Sequence, residues 1–381
     1  MELCVNDGAR LMIDLDALAA NYRLLAAQVA PAHCAGVVKA DGYGLGAEAV
    51  ARTLIAHGCC HLFVALLGEA EALIPQLSDP AVPVYVLNGL MPGSEGACAR
   101  IGAIPVLNSL DQIVRWKAQA DTHGDVLPAI LQLDTGMSRM GLPQDELDAV
   151  LARPELLDGI SLRYLISHLA CADDPADPAN AMQAQRFRAI AAHFPGVPAA
   201  LDNSGGAFLP RGHFDLVRAG IALYGGAPGP GDNPMRAVVA LEARITQVRN
   251  IPAGTGVGYG MTFHAPHAMR LATVPVGYAD GWPRSLGNRG AGYIGGIRAP
   301  IVGRVSMDSI ILDVTDVPER LLKPGDPVEL IGPHQTLDQV AHDAGTISYE
   351  ILTQLSARYE RRYLPAAQAP AIQNLQRSAA S

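Results

Sequence analysis

The sequence predicts an α/β protein: an N-terminal (β/α)8 TIM-like barrel over residues 1–230, followed by a mostly β C-terminal domain over residues 231–381. Two observations carry this. Short runs rich in Val, Ile and Leu recur at helix-length intervals through the first part, and continuous apolar strands alternating with helices belong to a parallel sheet covered on both faces. After residue 225 the texture changes, and Gly and Pro punctuate short β-like runs. An open dinucleotide-binding sheet is the competing architecture, but no Gly-x-Gly-x-x-Gly opens a helix after a strand.

In order, strands are predicted at 36–38, 62–65, 84–87, 104–107, 129–133, 161–166, 199–201 and 216–218. Eight such units suffice to close a barrel. Residues 181–190 are one of the intervening helices. Residues 225–234 have no periodicity and read as a linker. Beyond them, strands are predicted at 238–241, 270–274, 309–314 and 327–331. A helix starts at Thr336 with Gly345 near its end, and another runs from about 349 to 358. The Ala/Gln-rich tail, 365–381, reads as frayed.

The 381 residues exceed one ordinary domain, and 49% are apolar, enough for a large core. A net charge of -9 argues against a nucleic-acid partner, which needs a basic face. No apolar run approaches the roughly 18 residues of a membrane span. The N-terminal start lacks a basic region followed by an apolar one, so a cytoplasmic protein is expected. The six cysteines form no Cys-x-x-Cys pair and are expected reduced. His57 and His61 stand four apart without a third ligand, so no metal site is predicted.

Barrel chemistry sits where strands end. Lys39 and Tyr43 follow one predicted strand, Asp134 to Arg139 another, His168 a third, and Asn203-Ser204-Gly205-Gly206 a fourth; Arg218 ends the last. Small residues after Ser204 and Arg218 free backbone N–H groups to hold a phosphate. A desolvated lysine forms Schiff bases. Lysine plus phosphate cradle points to pyridoxal 5'-phosphate. Singly, Arg139 could be an ion-pair partner of Asp134, His168 a core histidine, Ser204 a helix cap and Arg218 structural; their joint placement at strand ends favours a site.

The stretch Val38-Lys39-Ala40-Asp41-Gly42-Tyr43-Gly44 resembles the cofactor-lysine signature of the alanine racemase family, the fold-type III pyridoxal-phosphate enzymes. Asp134-Thr135-Gly136-Met137-Ser138-Arg139, Arg218-Ala219-Gly220-Ile221, Gly258-Tyr259-Gly260, Gly277-Tyr278-Ala279-Asp280-Gly281 and Gly303-Arg304-Val305-Ser306-Met307-Asp308 match that family in order, over nearly the whole chain. The resemblance implies that Lys39 carries the cofactor. Tyr43, Ser204, Gly220, Ile221 and Tyr349 would hold its phosphate, with Arg218 at its ring nitrogen. Arg139 and the Met307 amide would hold the substrate carboxylate. Tyr259 would be the second base, assisted by His168, and Asp173, Tyr278, Arg284 and Arg304 would shape the entry channel. Racemisation needs bases on opposite faces of Cα, so Lys39 is assigned the D-enantiomer proton and Tyr259 the L-enantiomer proton. A head-to-tail homodimer sharing its active sites is also implied, with a small amino acid as substrate.

Two positions depart from the family pattern. Gln132 stands where many members carry a lysine that becomes a carbamate and orients the arginine; here the amide oxygen or a bound anion must hold Arg139. Ala200 stands where many carry a histidine. Racemisation of serine or a broad set of amino acids is the nearest alternative, since one methylene or hydroxyl is worth only about 1–3 kcal/mol. A non-catalytic pyridoxal-phosphate carrier and a barrel decarboxylase are further alternatives; the second domain and Arg218 speak against them. Supply of D-alanine for cell-wall precursors and alanine breakdown would use the same chemistry.

Overall fold

The protein is described here from a computed structural model over residues 8–364. Cys4, the N-terminal start and the tail expected to fray at 365–381 lie outside the described residues. Two compact units divide the chain. One takes Leu18–Leu223 and Ala227–Met235; the other takes the described residues up to Ala17, Tyr224–Gly226 and those from Arg236 on.

The strands in chain order begin with β1 (Ala9–Asp14), β2 (His33–Val37), β3 (Leu62–Val64), β4 (Val84–Val86), β5 (Ile104–Leu107), β6 (Leu127–Gln132), β7 (Ile160–Ile166), β8 (Ala199–Ala200) and β9 (Leu216–Ala219). Eight of them form one parallel sheet in the order β8-β7-β6-β5-β4-β3-β2-β9. The Asp215 amide donates to the Ala199 carbonyl and the Arg218 amide to the Asp202 carbonyl, each at 2.9 Å, and these bonds bring the last strand back to β8. Every residue of β3, β4 and β5 is buried, as strands covered on both faces require. Helices pack outside. Leu110–His123 buries Ile113, Trp116 and Ala120, a stripe at helical spacing, with Ser109 Oγ accepting from the Gln112 amide at its start.

The second unit contains β10 (Val239–Arg244), β11 (Gln247–Ile251), β12 (Gly256–Val257), β13 (Phe263–His264), β14 (Met269–Val274), β15 (Ala291–Ile294), β16 (Ile297–Pro300), β17 (Ile310–Asp313), β18 (Pro327–Ile331) and β19 (Glu360–Leu364). They build a six-stranded sheet, β16-β15-β18-β10-β1-β19, with smaller sheets β11-β14-β17 and β12-β13. Strand β1 thus belongs to this unit: it pairs antiparallel with β10 and parallel with β19, burying Leu11 and Ile13. A sequence division at 230 does not anticipate this, because so distant a pairing leaves no local signal. Residues 227–235, from the expected linker, group with the barrel.

The helix predicted from Thr336 spans Leu337–Ala344; Thr336 Oγ1 accepts from the Gln339 amide at 3.1 Å and Gly345 closes it at φ 74°. The next helix, predicted to 358, stops at Gln354. The Ser356 amide donates to the Asp280 carbonyl at 3.1 Å, and Arg358 turns away to pair with Asp280 and Asp308.

Candidate active site

Lys39 lies just past the carboxyl end of β2 and is followed by an unusual backbone. Ala40, Asp41, Gly42 and Tyr43 all have positive φ, at 53°, 54°, 62° and 57°: one turn of left-handed helix. For the three non-glycine residues this costs on the order of 1–2 kcal/mol each. Gly42 is required for a second reason, since a Cβ there would lie 3.2 Å from the Ala47 backbone. The turn is held by its own bonds, such as the Gly44 amide to the Ala40 carbonyl at 2.7 Å, and by Glu69 Oε1, which accepts from the Ala40 amide at 2.7 Å. Burial, Arg139 and Arg218 hold the Lys39 pKa below its ordinary value, against the opposing charge of Glu69. A neutral amine is what nucleophile and base chemistry need.

Arg218 lies in β9, as predicted, and is buried. Its guanidinium donates to the carbonyls of Ala200 at 2.9 Å, Ser167 at 2.6 Å and Leu201 at 3.3 Å, and to His168 Nδ1 at 3.1 Å. Arginine therefore organises the ends of β7 and β8 through a planar fork of donors. Burial lowers its pKa to about 10, which leaves it charged at neutral pH; Asp202, itself buried and paired with Arg211 and His213, acts in the opposite sense. Burial, then Arg218, Arg139 and Lys39, push His168 down to about 3, so its ring is neutral and Nδ1 can accept.

A second depressed histidine sits elsewhere in the barrel. His61 makes ring-nitrogen contacts to the Tyr85 and Tyr164 hydroxyls at 3.1 and 3.3 Å, and burial with His33 lowers it to about 4. Unfolding lets both histidines take up protons below their ordinary 6.5. Their stabilising effect is therefore full above about pH 6.5 and declines as pH falls towards their folded values, by roughly 2 kcal/mol at pH 5 for His168 and by less for the less deeply buried His61. Urea unfolding at pH 7.5 and pH 5 is expected to show this loss, and His61→Gln to remove part of it.

Ser204 and Gly220 meet Tyr43 behind the lysine. Ser204 Oγ accepts from the Gly220 amide at 2.8 Å and the Ala222 amide at 3.3 Å. A Cβ on Gly220 would lie 2.4 Å from the Tyr43 hydroxyl. Ile221 opens the short turn Ile221–Tyr224 just beyond. Two hydroxyls and two amides thus meet where only glycine leaves room for the Tyr43 hydroxyl, a donor set that fits a phosphate. Gly220→Ala is expected to displace the buried Tyr43 ring and weaken pyridoxal phosphate binding by about 10–100-fold, read by fluorescence titration of cofactor-free protein.

Arg139 is exposed, at the end of a loop organised by Asp134. Asp134 Oδ1 accepts from the Gly136, Met137 and Ser138 amides at 2.9, 3.1 and 3.1 Å, so the carboxylate shapes the loop rather than pairing with Arg139. Gln132 is buried in β6, and among the described residues its amide makes no hydrogen bond to Arg139. Ala200 is buried and serves the site through its carbonyl. Asp173 lies exposed in the loop after β7.

The remaining predicted residues belong to the second unit and are solvent-facing. Tyr259 is 72% exposed, Met307 53%, Tyr278 44% and Tyr349 39%; Arg284 and Arg304 are exposed too. Three of their loops come together. A Cβ on Gly260 would lie 3.2 Å from the Arg304 guanidinium. The Tyr278 amide donates to the Ser306 carbonyl at 3.0 Å and the Ala279 amide to the Met307 carbonyl at 2.9 Å. Gly277 permits this, because a Cβ there would lie 2.3 Å from the Met307 carbonyl. Arg284 lines a cavity of about 260 Å³ with Tyr278 and Trp282. Among the described residues, no group of three His, Cys, Asp or Glu could hold a metal ion, and no helix is long and apolar enough to cross a membrane.

Residues 13–228 match the family described as alanine racemase, N-terminal domain, and residues 238–363 match alanine racemase, C-terminal domain. The chain belongs to the alanine racemase family. A catabolic alanine racemase of Agrobacterium fabrum is 52% identical over 95% of this chain and 93% of its own. An alanine racemase of Brucella canis is 52% identical over 94% of each chain. The crystal structure of Bartonella henselae alanine racemase, which carries covalently bound pyridoxal phosphate, superposes with a TM-score of 0.90 at 44% identity, over 94% of this chain and 99% of that one.

In this alanine racemase family member, three supporting residues were not visible in the sequence. Glu69 touches the lysine turn. Gln183 donates to the His168 carbonyl at 2.9 Å and to Thr135 Oγ1 at 3.3 Å, and accepts from the Ala170 amide at 2.8 Å. Asp202 anchors Arg211 and His213 beside Ser204. Glu69 alone left a trace, as an acid in a helix first turn.

Proposed function

We infer that the protein interconverts L- and D-alanine with pyridoxal 5'-phosphate, Lys39 and Tyr259 serving opposite faces of Cα. The observation that carries this is the convergence of a neutral-prone Lys39 with Arg218, His168 and the Tyr43–Ser204–Gly220 cradle at one end of a parallel barrel. When bound, the cofactor supplies the electron-withdrawing ring that lets the Cα proton leave. Tyr43, Ser204, Gly220, Ile221 and Tyr349 hold its phosphate. Arg218, which cannot accept a proton, faces its ring nitrogen. Arg139 and the Met307 amide orient the substrate carboxylate. Lys39 exchanges the proton of the D-enantiomer and Tyr259 that of the L-enantiomer, with His168 passing the influence of the Arg218 charge to Tyr259. Asp173, Tyr278, Arg284 and Arg304 line the route in.

Polarimetry of L-alanine with the purified protein and added cofactor tests the reading. Rotation decaying to zero supports it. Unchanged L-alanine with active L-serine would move the assignment to another amino-acid racemase.

A head-to-tail homodimer completes this account, with Tyr259 and Met307 reaching the partner's barrel. Their exposure, 72% and 53%, suits residues meant for another surface. Mixing Lys39→Ala with Tyr259→Phe after dissociation and reassociation is expected to restore about a quarter of wild-type activity, because half the dimers then contain one intact shared site. No recovery would overturn sharing. We also place the enzyme in the cytoplasm, where its free thiols stay reduced.

A further inference from the structure

Glu69 has no role in the reading above, yet one carboxylate spans two strand ends beside the lysine. It lies in the first turn of the helix Leu67–Leu73, which follows β3. Oε1 accepts from the Ala40 amide at 2.7 Å, and Oε2 accepts from the Ala65 and Leu66 amides at 2.6 and 3.2 Å. The amide of Ala40 is the first after Lys39, and it begins the left-handed turn.

We propose that Glu69 is a positioning residue for Lys39: its carboxylate ties the backbone just after the lysine to the end of β3 and so fixes where the amine points. The turn's internal bonds, Gly42 amide to Val38 carbonyl at 2.9 Å and Gly46 amide to Asp41 carbonyl at 2.8 Å, set its shape but not its tilt against the barrel. Asp41 Oδ1 secures its far end, through the Ala47 amide at 2.8 Å. Before the lysine, the Val38 amide holds β2 to the Phe63 carbonyl at 2.8 Å. Glu69 supplies the matching tie after it. A left-handed turn of mostly non-glycine residues persists only when its surroundings over-determine it, and a displaced reacting group near 1 Å costs on the order of 100-fold in rate.

The charge has a consequence as well as the geometry. The charged groups facing Lys39 are Arg139 and Arg218, which favour the neutral amine, and Glu69, which opposes them. Asp41 and Glu48 line a cavity together with Glu69. Glu69 therefore keeps the lysine from losing its proton too readily.

Two variants separate these contributions. Glu69→Gln keeps the shape but removes the charge and turns one acceptor into a donor facing an amide. Glu69→Asp keeps the charge but cannot span both strand ends. In cofactor-free protein, the pH dependence of Lys39 acylation is read by peptide mass spectrometry. The midpoint is expected to move to lower pH in Glu69→Gln and to stay in place in Glu69→Asp. In loaded enzyme, kcat is expected to fall on the order of 10–100-fold in both variants. The α-deuterium isotope effect should rise with D-alanine and fall with L-alanine. This kinetic arm rests on the two-base reading; the acylation arm does not. Wild-type protein that leaves alanine untouched would sink that reading while acylation still decides on Glu69. An unshifted midpoint in folded Glu69→Gln, or wild-type kcat in Glu69→Asp, overturns the proposal.

Discussion

Tyr259→Phe is expected to leave a folded protein that binds pyridoxal phosphate yet loses on the order of 10²–10⁴-fold in racemase turnover. The fold of the chain is expected to survive, because Tyr259 is 72% exposed within it. Its backbone is pinned by neighbours instead: Gly258 and Gly260 adopt φ 69° and 72°, values that disfavour any other residue. The test pairs polarimetry with isotope exchange. In D₂O the variant should still wash deuterium into D-alanine through Lys39, while almost no L-alanine forms. Normal racemisation would remove Tyr259 from the mechanism; loss of exchange at D-alanine would show that one base serves both faces.

Arg218→Ala is expected to damage stability and activity together. The side chain is buried and donates to three backbone carbonyls and one ring nitrogen. Removal leaves several buried acceptors without their donor, at about 1–3 kcal/mol for each one that water does not reach. A total near 3–5 kcal/mol should lower the unfolding temperature by roughly 5–15 °C. Arg218→Lys keeps the charge but has no planar fork, so it should recover only part of the loss. Calorimetry of cofactor-free protein reads this directly. A change under about 2 °C in Arg218→Ala would mean the carbonyls find water and the arginine is not an organiser of β7 and β8.

The barrel strands were legible because burial on both faces writes itself as uninterrupted Val, Ile and Leu, and β5 and β18 appear at their predicted bounds. Thr336 and Gly345 marked both ends of their helix because cap chemistry is local. Strands β11, β16 and β19 were not read: each mixes polar and apolar residues and owes its conformation to a partner strand. At the candidate site, Lys39, Ser204 and Arg218 were visible as polar residues ending apolar runs. Glu69 and Gln183 were not, because a side chain that works by holding distant backbone has no motif of its own. The Gly258-Tyr259-Gly260 stretch became legible only through family resemblance, since nothing in the second domain's pattern marks a base.

The pairing of β1 between β10 and β19 has a consequence for how the chain is made. Among the described strands the ribosome delivers Ala9–Asp14 first, but its parallel neighbour Glu360–Leu364 arrives more than 300 residues later. At about 5–20 residues per second, that wait lasts roughly 20–70 s. Throughout it, Leu11 and Ile13 have no finished sheet to enter. The barrel strands, all complete by residue 219, can assemble first, while β1 waits for its partner strands of the second unit.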